Sequence, residues 1–517
     1  MIEIPTERRR AYLRTCRLLA VLSTVAAAAY LKWLLFDALP DNHALYWVLV
    51  AAELFNIAQA AGFWLTISFQ RWSEPAPHDA SQTRESVDLF VTVRGEPLDV
   101  IETTVAAAIR VRHPRARVWI LDDGASGDVR RLAAKLSAGY LPRVRHEGAK
   151  AGNVNHGLRS TGGTFFAIFD ADQAPHPDFL ERTLGVFADP LVAFVQTPQV
   201  YRNRSTNRVA AGAHDQQSLF YGPIMRGKNG FGAVFCCGTN VVFRRSAVYS
   251  IGGIPEDSIT EDLRASLLLA KRGYRSAYVS AVLAEGLGPM DVESYFKQQY
   301  RWGRGGLDIL LKRRPYSFRM SAGQWLQYSL GFMYWFTGFA YLSYLVLPIT
   351  YLGAGLRPIQ VPNDYPVHFI PYVMLALATI IYASDFQVSF DALRFTLASF
   401  PVHIHSLLST LTTGRTRFVV TPKNRSKASL RAVWPQLTVI VILFASAVYG
   451  LMTQGPVPSV VNNVAWVGAH IAILLGFVKL TLFPEGRGKE SRAEHSRRPA
   501  EEPGPHGYVA PEPPSSV

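Results

Sequence analysis

Cysteine is scarce in this sequence: the 517 residues include three, Cys16, Cys236 and Cys237. Adjacent cysteines rarely pair with each other, so no disulfide framework is predicted, and we expect the part of the chain that carries them to lie in the cytosol. Acidic residues are also few, since 39 Asp and Glu stand against 53 Lys and Arg and leave a net charge of +14. A balance of this kind makes nucleic acid one candidate partner and a membrane surface another.

The basic residues flank apolar segments, mainly at 8–17, 415–431 and 487–498. Almost no Lys or Arg occurs in the loops at 37–44, 353–366 and 452–463. This distribution follows the positive-inside rule. We therefore expect a lipid bilayer and no nucleic acid as the partner, in a plasma (inner) membrane with both termini in the cytosol.

Hydrophobic residues make up 49% of the chain and are concentrated near its two ends. A helix that crosses a bilayer needs about 20 apolar residues. Six segments meet this length and are predicted to span the membrane: 18–36, 45–69, 326–352, 367–383, 434–451 and 464–482. The alternative for the first is a signal peptide, because the alanines at 26–29 resemble a cleavage site.

The pattern divides the chain into four parts. These are an N-terminal arm with two transmembrane helices (1–70), a cytosolic domain (71–318), four transmembrane helices (319–484) and a disordered cytosolic tail (485–517). Residues 385–411 are ambiguous. We predict an interfacial amphipathic helix there, because a spanning helix would put the basic loop at 413–431 on the wrong side.

The cytosolic domain alternates strands and helices. Strands are predicted at 87–93, 118–121, 165–169 and 192–196, and helices at 98–111 and 129–138. This order favours an α/β fold with a mostly parallel sheet and helices on both faces. Ligands of such sheets bind at the carboxyl ends of the strands, where this sequence has acidic residues.

Asp170 and Asp172 follow the buried run at 165–169. Alternate residues of a strand point to the same face, so the two carboxylates are expected on one side. Mg²⁺ typically takes one or two carboxylates together with substrate phosphates, which makes this pair a candidate metal site. The alternative is a solvated, Asp-rich turn, since the pattern is short.

Two further segments suit a nucleotide. Asp122 and Asp123 close the second strand, and they either form a tight turn or grip the sugar or base of a nucleotide. Residues 148–155 form a Gly-rich loop that enters a helix and carries Lys150. Backbone amides and a cation there suit a diphosphate, although an ordinary helix start explains the same residues.

Thr260, Glu261 and Asp262 precede a helical run. One interpretation is that Thr260 is an N-cap with two acids in the first turn. The functional alternative makes Asp262 a general base that deprotonates an attacking hydroxyl.

Gln298, Arg301 and Trp302 are spaced at i, i+3 and i+4 on a helix predicted at 292–311. They therefore share one face, where an indole, a guanidinium and an amide suit a sugar ring and a phosphate. The alternative is an interfacial helix with a tryptophan belt.

The motifs follow one another in a recognisable order: the acidic pair, Lys-Ala-Gly-Asn, Asp-x-Asp, Thr-Pro-Gln at 197–199, Thr-Glu-Asp and Gln-x-x-Arg-Trp. This order resembles the membrane-embedded processive family 2 glycosyltransferases, above all the bacterial cellulose synthase catalytic subunits. Residues 418–423 are similar to the Phe-x-Val-Thr-x-Lys gating loop of that subgroup. The resemblance implies a GT-A-like cytosolic domain.

The resemblance also implies roles for single residues. The donor UDP-sugar would contact Glu96, Asp122, Asp123, Lys150, Asp170, Gln298, Arg301, Thr421 and Lys423. Mg²⁺ or Mn²⁺ would lie at Asp170 and Asp172. Asp262 would be the catalytic base, with Glu261 and Thr260 beside it. The acceptor would contact Trp302, Cys237 and Gly238.

Three features depart from the family pattern. In the segment 92–96 only Glu96 is kept, and Arg94 replaces an aromatic residue near the base. Residues 235–239 read Phe-Cys-Cys-Gly-Thr where cellulose synthases often have Phe-Phe-Cys-Gly-Ser, which suggests a different sugar or linkage. The residues after 484 are too few for a PilZ domain, so we expect no direct control by cyclic-di-GMP.

The expected function is processive, inverting polymerisation of a β-linked glucan from UDP-glucose, with export of the growing polysaccharide. Alternatives are synthesis of hyaluronan, chitin or a mixed or β-1,3-glucan, and a non-processive lipid-linked transfer. A transporter or scaffold with a degenerate enzyme domain is the rival from another class. Envelope glycan-export or accessory proteins are expected as partners.

Overall fold

The computed structural model describes residues 4–73, 85–360, 365–413 and 430–483. Its strands are β1 (Val87–Val93), β2 (Ala116–Asp122), β3 (Gly139–Pro142), β4 (Phe165–Asp170), β5 (Ala174–Pro175), β6 (Val192–Gln196), β7 (Val200–Tyr201), β8 (Val241–Arg244), β9 (Arg275–Tyr278) and β10 (Ala284–Gly286).

Seven strands form one sheet in the order β3-β2-β1-β4-β8-β6-β9. The pairs on either side of β1 are parallel, whereas β8 runs antiparallel to both β4 and β6. The sheet is therefore mixed, as a GT-A-like α/β domain requires. The prediction of a mostly parallel sheet missed β8, because no alternation along the chain indicates which strand inserts between two others.

The centre of the sheet is apolar on both faces. Every residue of β1 is buried, and so is every residue of β4 except its last, Asp170. Phe90 and Phe166 pack on one face, and Phe165 and Phe169 on the other. Burial on both faces explains why β4 reads as a continuous apolar run, whereas β1 also buries Asp88 and Thr92. The first polar side chain of β4 to leave the core is therefore at its carboxyl end.

The helices of the N-terminal part are α1 (Thr6–Lys32) and α2 (His43–Ser68). Those of the sheet domain are α3 (Leu98–Ile109), α4 (Gly127–Lys135), α5 (Ala149–Ser160), α6 (Arg208–Leu219), α7 (Met225–Gly230), α8 (Arg245–Tyr249), α9 (Glu261–Lys271) and α10 (Val292–Lys312). The C-terminal part has α11 (Ala322–Met333), α12 (Thr337–Ala354), α13 (Tyr365–Ala383), α14 (Phe390–Ala398), α15 (Phe400–Thr412), α16 (Trp434–Gln454) and α17 (Pro458–Leu482).

Six helical segments of the described chain are long and apolar enough to cross a membrane: Thr6–Asp37, His43–Ser68, Ala322–Ala354, Tyr365–Ala383, Leu430–Gln454 and Pro458–Leu482. Each contains one predicted span almost entirely, and the first begins earlier because α1 continues through the basic arm. The ambiguous stretch forms two helices, α14 and α15, of 9 and 13 residues. Either one is shorter than the roughly 20 residues that a crossing needs.

The sheet domain and the apolar helices meet through α10. Along α10, the hydroxyl of Tyr300 donates to Ser409 Oγ on α15 at 3.1 Å, and its ring stacks on His405. Tyr295 bonds Gln216 on α6 at 2.8 Å. These contacts fix α10 between the sheet and the helices that lead into the membrane.

Candidate active site

Neighbouring strands end at one edge of the sheet, and acidic residues lie there. In the parallel register, Val93 of β1 lies opposite Asp122, and Thr92 lies opposite Asp170. The Thr92 hydroxyl donates to Asp170 Oδ1 at 3.4 Å. Asp122 and Asp170 are nearly fifty residues apart in the sequence, yet they end the two strands that flank β1.

Asp123 follows β2 and is almost completely buried. Its Oδ1 accepts from Arg143 Nε at 2.8 Å, and Arg94 Nη1 lies 3.6 Å from its Oδ2. Oδ2 is buried without a hydrogen-bond partner, and the residue lines the cavity described below. A buried carboxylate oxygen that lacks a donor is costly. This atom can therefore accept an N–H or O–H from a ligand.

Asp122 differs from Asp123, because groups of its own turn and Tyr140 occupy both of its carboxylate oxygens; its contact with the donor stays a prediction. Its Oδ1 accepts from the Gly124 N–H at 2.8 Å, and its Oδ2 from the Ser126 N–H at 2.7 Å and the Tyr140 hydroxyl at 2.9 Å. It is not among the residues that line the cavity. Asp122 therefore orders the turn that holds Asp123, as the tight-turn alternative required.

Lys150 lies in the first turn of α5, so the Gly-rich stretch is mostly helix rather than the predicted loop. Its ammonium pairs with Asp170 and donates to the Gly238 carbonyl oxygen at 2.8 Å. Burial is the largest single influence and lowers the pKa of Lys150, but the carboxylates of Asp170, Glu261 and Asp262 together outweigh it, so the pKa is raised. Lys150 is accordingly a fixed positive charge next to the metal candidate.

The asparagines of this stretch support the fold. Asn153 Nδ2 donates to the Leu121 carbonyl oxygen, and Asn155 Nδ2 to the Ile254 carbonyl oxygen, both at 2.8 Å. These bonds tie α5 to β2 and to the loop before α9. They hold the turn that carries Lys150 in place.

Gly238 lies close to both Asp262 and Lys150. It has a φ of +81°, and a Cβ there would lie 3.0 Å from Asp262 Oδ2 and 3.6 Å from Lys150 Nζ. A side chain at this position would be strained and would crowd the carboxylate. The glycine therefore lets Asp262 and Lys150 approach the same space from two elements that are distant in sequence.

Asp262 lies in the first turn of α9. Its Oδ1 accepts from the Leu263 N–H at 2.8 Å, while Oδ2 faces Gly238. Thr260 makes no side-chain capping bond, so the N-cap alternative is not what holds this turn. Burial raises the pKa of Asp262, and the Lys150 and Arg301 charges oppose this rise. A buried carboxylate with a raised pKa is suited to accept a proton.

Glu261 precedes Asp262 and interacts with it electrostatically. Burial, and then the negative charge of Asp262, raise the pKa of Glu261 to about 7. As the pH falls through this range the pair takes up a proton, and a proton on Asp262 would remove its action as a base. We expect the substitution Glu261→Gln to move the acid limb of the pH–rate profile to lower pH, because it removes a negative charge that disfavours ionisation of Asp262.

Initial rates of sugar transfer measured across the acidic and neutral range test this. The control is Glu293→Gln, which removes an exposed carboxylate that pairs with Lys297. An acid limb that stays in place in Glu261→Gln would contradict the coupling.

α10 presents three predicted residues to the cavity: Gln298, Arg301 and Trp302. They share one face as the spacing predicted. Gln298 Oε1 is buried without a hydrogen-bond partner. Arg301 lowers the pKa of both Glu261 and Asp262 by its charge, which places its guanidinium near them. The face therefore adds a cation, an amide and an indole to the acidic wall.

One cavity of about 580 Å³ is lined by the predicted acids, the lysine and the α10 face: Asp123, Lys150, Asp170, Glu261, Asp262, Gln298, Arg301 and Trp302. Residues of the apolar helices line the cavity as well. They are Gln59 and Phe63 of α2 and Leu330 of α11, together with Gln216 of α6 and Thr396 of α14. The cavity thus joins the acidic edge of the sheet to the apolar helices.

Sequence reasoning missed several residues in and around the cavity. Arg143 was not expected beside Asp123, because nothing in a separation of 20 positions indicates contact. Tyr221 and Gln199 line the cavity, with the Tyr221 hydroxyl donating to Gln199 Oε1 at 3.0 Å. Gln199 ends the Thr-Pro-Gln motif, which was the available signal. Lys228 carried no signal at all.

Three carboxylates at the edge of the sheet are candidate metal ligands. Glu96, Asp170 and Asp172 line the cavity, and after burial the charges of both aspartates help to raise the pKa of Glu96. Within the ranges that the structure describes, no three His, Cys, Asp or Glu side chains form a complete metal-binding group. Two carboxylates fit a hard divalent cation that takes its other ligands from water and substrate phosphates.

Two predicted donor contacts, Thr421 and Lys423, lie outside the described residues. Cys237 and Gly238 do line the cavity, and the Cys237 N–H donates to Gln196 Oε1 at 2.8 Å. These two residues therefore form the part of the wall next to Asp262.

Comparison with known proteins identifies related sequences. A family model described as "Glycosyl transferase family group 2" matches residues 165–383. A relative from Novacetimonas hansenii, named cellulose synthase 2, is 30% identical over 511 residues, which cover 92% of this chain and 31% of the relative. The cellulose synthase catalytic subunit of Pseudomonas fluorescens is 32% identical over 65% of this chain and 47% of its own length. The chain thus spans about a third to a half of these curated relatives.

A solved structure shares the fold. The mannosyltransferase of Pyrobaculum calidifontis, determined with GDP-Man and Mn²⁺, superposes with a TM-score of 0.50. It is 18% identical, and the match covers 71% of this chain and 99% of that one. At this identity the likeness concerns the fold alone, which is of the GT-A type.

Proposed function

The chain carries a glycosyltransferase family 2 domain, and we propose that it transfers glucose from UDP-glucose to the free end of a growing β-linked glucan and passes the polymer outward. The observation that carries this proposal is the single cavity that Asp123, Lys150, Asp262 and Trp302 line together with residues of the apolar helices α2 and α11. Its relatives named cellulose synthase support the choice of product.

The donor fits the polar wall of the cavity. Asp123 Oδ2 lacks a donor, and the N–H of a uracil ring or a ribose hydroxyl would supply one. Lys150 and Arg301 offer positive charge to a diphosphate. A divalent cation, Mg²⁺ or Mn²⁺, held by Asp170 and Asp172 would add positive charge to the leaving diphosphate. The site is thus electrostatically complementary to a nucleoside diphosphate sugar.

The chemistry follows from the opposite wall. Asp262 would take the proton of the acceptor hydroxyl as its oxygen forms a bond to the anomeric carbon. The bond from that carbon to the UDP oxygen breaks on the other face, so the configuration inverts. Lys150 and Arg301 would stabilise the negative charge that develops on UDP. The proton then leaves Asp262 for water before the next transfer.

Trp302 lines the same cavity as Asp262, and its indole can stack on the acceptor ring. We expect Trp302→Ala to give shorter products while the first transfer persists, because the chain dissociates more often between additions. An aromatic contact is worth roughly 0.5–1.5 kcal/mol beyond its buried area, which corresponds to up to about tenfold in dissociation. Trp302→Phe is the matched control and should largely retain product length, as measured by size-exclusion chromatography.

The test of the function is incubation of membranes that contain the full chain with several UDP-sugars, followed by linkage-specific digestion and sizing of the product. Polymer from UDP-glucose that a β-1,4-glucanase degrades supports the proposal. Polymer from UDP-N-acetylglucosamine or UDP-glucuronate would identify another β-glycan, as the Cys236 and Thr239 departures allow. A single added sugar would reject processivity, and background UDP release with every donor would favour a transporter or scaffold.

The membrane placement extends the proposal. The six candidate spans make this a multi-pass membrane protein. We infer that it lies in the plasma (inner) membrane with the sheet domain and both termini in the cytosol, since UDP-sugars are made there. Envelope proteins that carry the glycan further would then be partners on the outer side.

A further inference from the structure

Lys228 is a buried lysine that the proposed chemistry does not use. It lies in α7 and is 3% exposed. Its ammonium donates to the backbone oxygen of Gln327 on α11 and lies 5.4 Å from the centroid of the Phe235 ring. An ammonium has three N–H donors, and the carbonyl of Gln327 is its single hydrogen-bond partner among the described residues.

No carboxylate neutralises this lysine within the part of the chain that the structure describes. Lys150 in the same cavity pairs with Asp170, whereas Lys228 forms no ion pair. Burial lowers the pKa of Lys228 to about 7, and burial is the sole cause of the shift. A buried cation without a counter-ion is unfavourable and gains free energy when an anion binds to it.

Lys228 is accessible from one side. It lines the same cavity as Cys237, Asp262 and Trp302, and its neighbours Phe235 and Gln327 line it too. Because the side chain is closed to the outer surface, an anion can reach it through the cavity alone. Under the proposed function this cavity takes the acceptor saccharide, and Lys228 lines it together with Cys237 and Trp302, the predicted acceptor contacts.

We propose that Lys228 forms an anion subsite in the acceptor part of the cavity, which binds a carboxylate or phosphate group on the acceptor saccharide. The inference rests on the proposed function, because it assumes that the cavity takes a glycan. It goes beyond the neutral glucan of that proposal by assigning an acidic group to the acceptor, carried either by a uronate ring or by a phosphorylated primer. The cation would pair with the acidic group while the neutral rings contact the rest of the wall.

Binding of non-reacting saccharides to the purified full chain, measured by calorimetry without a donor, tests the subsite. Three ligands of equal length are compared: a neutral β-gluco-oligosaccharide, its C6-carboxylated form and its 6-phosphorylated form. We expect the wild-type protein to bind an acidic form about tenfold more tightly than the neutral form, as a charge-assisted hydrogen bond allows. The form bound more tightly identifies the source of the acidic group.

Lys228→Met should lose this preference and keep its affinity for the neutral saccharide, which also reports that it is folded. Lys228→Arg, which retains the charge, should keep at least part of the preference. Lys135→Met is the matched control, because it removes an exposed positive charge of the same domain that pairs with Glu102. It should bind all three ligands as the wild type does.

The proposal is overturned if the wild type shows no acidic preference, if the preference persists in Lys228→Met, or if none of the saccharides binds. The proposed function is decided separately by transfer from UDP-sugars on the same preparation. Transfer without an acidic preference rejects the subsite alone, whereas an acidic preference that depends on Lys228 without any transfer rejects the proposed activity alone.

Discussion

Asp262→Asn is expected to lower sugar transfer by about a thousandfold, while the affinity for UDP changes little. A positioned general base typically contributes 10²–10⁴-fold, and an amide cannot take the proton of the acceptor hydroxyl. The substitution keeps the shape of the side chain and the bond from the Leu263 N–H to Oδ1. It also removes a negative charge from the diphosphate site, so UDP binding should be retained or slightly tighter.

Radiolabelled sugar incorporation and calorimetric UDP binding on the same preparation measure the two effects. The control is Asp257→Asn, since this carboxylate lies on the same loop and pairs with Arg313 at 2.8 Å outside the cavity. Near wild-type incorporation in Asp262→Asn would contradict the assignment of the base. Joint loss of transfer and of UDP binding would indicate that Asp262 holds the donor.

The elements that the sequence pattern predicted are those whose reasons are local. β1 and β4 are buried on both faces, so both strands, and the acid at the end of β4, could be predicted from their local sequence. The face of α10 followed from helical spacing. The six apolar spans followed from length and composition.

What the pattern missed depends on tertiary contacts. Asp122 and Asp123 look equivalent in the sequence, yet Asp122 caps its own turn and Asp123 faces the cavity, because only Asp122 meets the N–H groups of Gly124 and Ser126. The short strand β3 escaped notice because it has four half-buried residues and includes a glycine and a proline. Lys228 was missed because burial of a single lysine leaves no periodic signal.

The second large effect is expected for the metal site. The described residues provide two suitably placed carboxylates, Asp170 and Asp172, and no complete group of three metal-binding side chains. A divalent cation would therefore need oxygens of the diphosphate, so cation and UDP should bind together. We expect Mn²⁺ or Mg²⁺ to tighten UDP binding to the wild type by about a hundredfold over EDTA, in line with several kcal/mol of charge stabilisation.

Asp170→Asn should abolish this enhancement by metal. In EDTA the variant should no longer bind UDP more weakly than the wild type. In the wild type without metal, Asp170 repels the diphosphate and holds the ammonium of Lys150 in an ion pair. The amide removes the repulsion and leaves Lys150 available to the phosphates. The variant should therefore bind UDP at least as tightly as the wild type in EDTA, but much more weakly than the wild type with metal.

Calorimetric titration of UDP with and without cation measures both arms. Asp178→Asn is the control, because its carboxylate lies 3.9 Å from Arg182 and outside the cavity. If Asp170→Asn kept the full enhancement by metal, the cation would bind elsewhere. If the variant bound UDP more weakly than the wild type in EDTA as well, Asp170 would act by holding Lys150 in position. In that case the ion pair, rather than a metal, would explain why this acid lies at the end of β4.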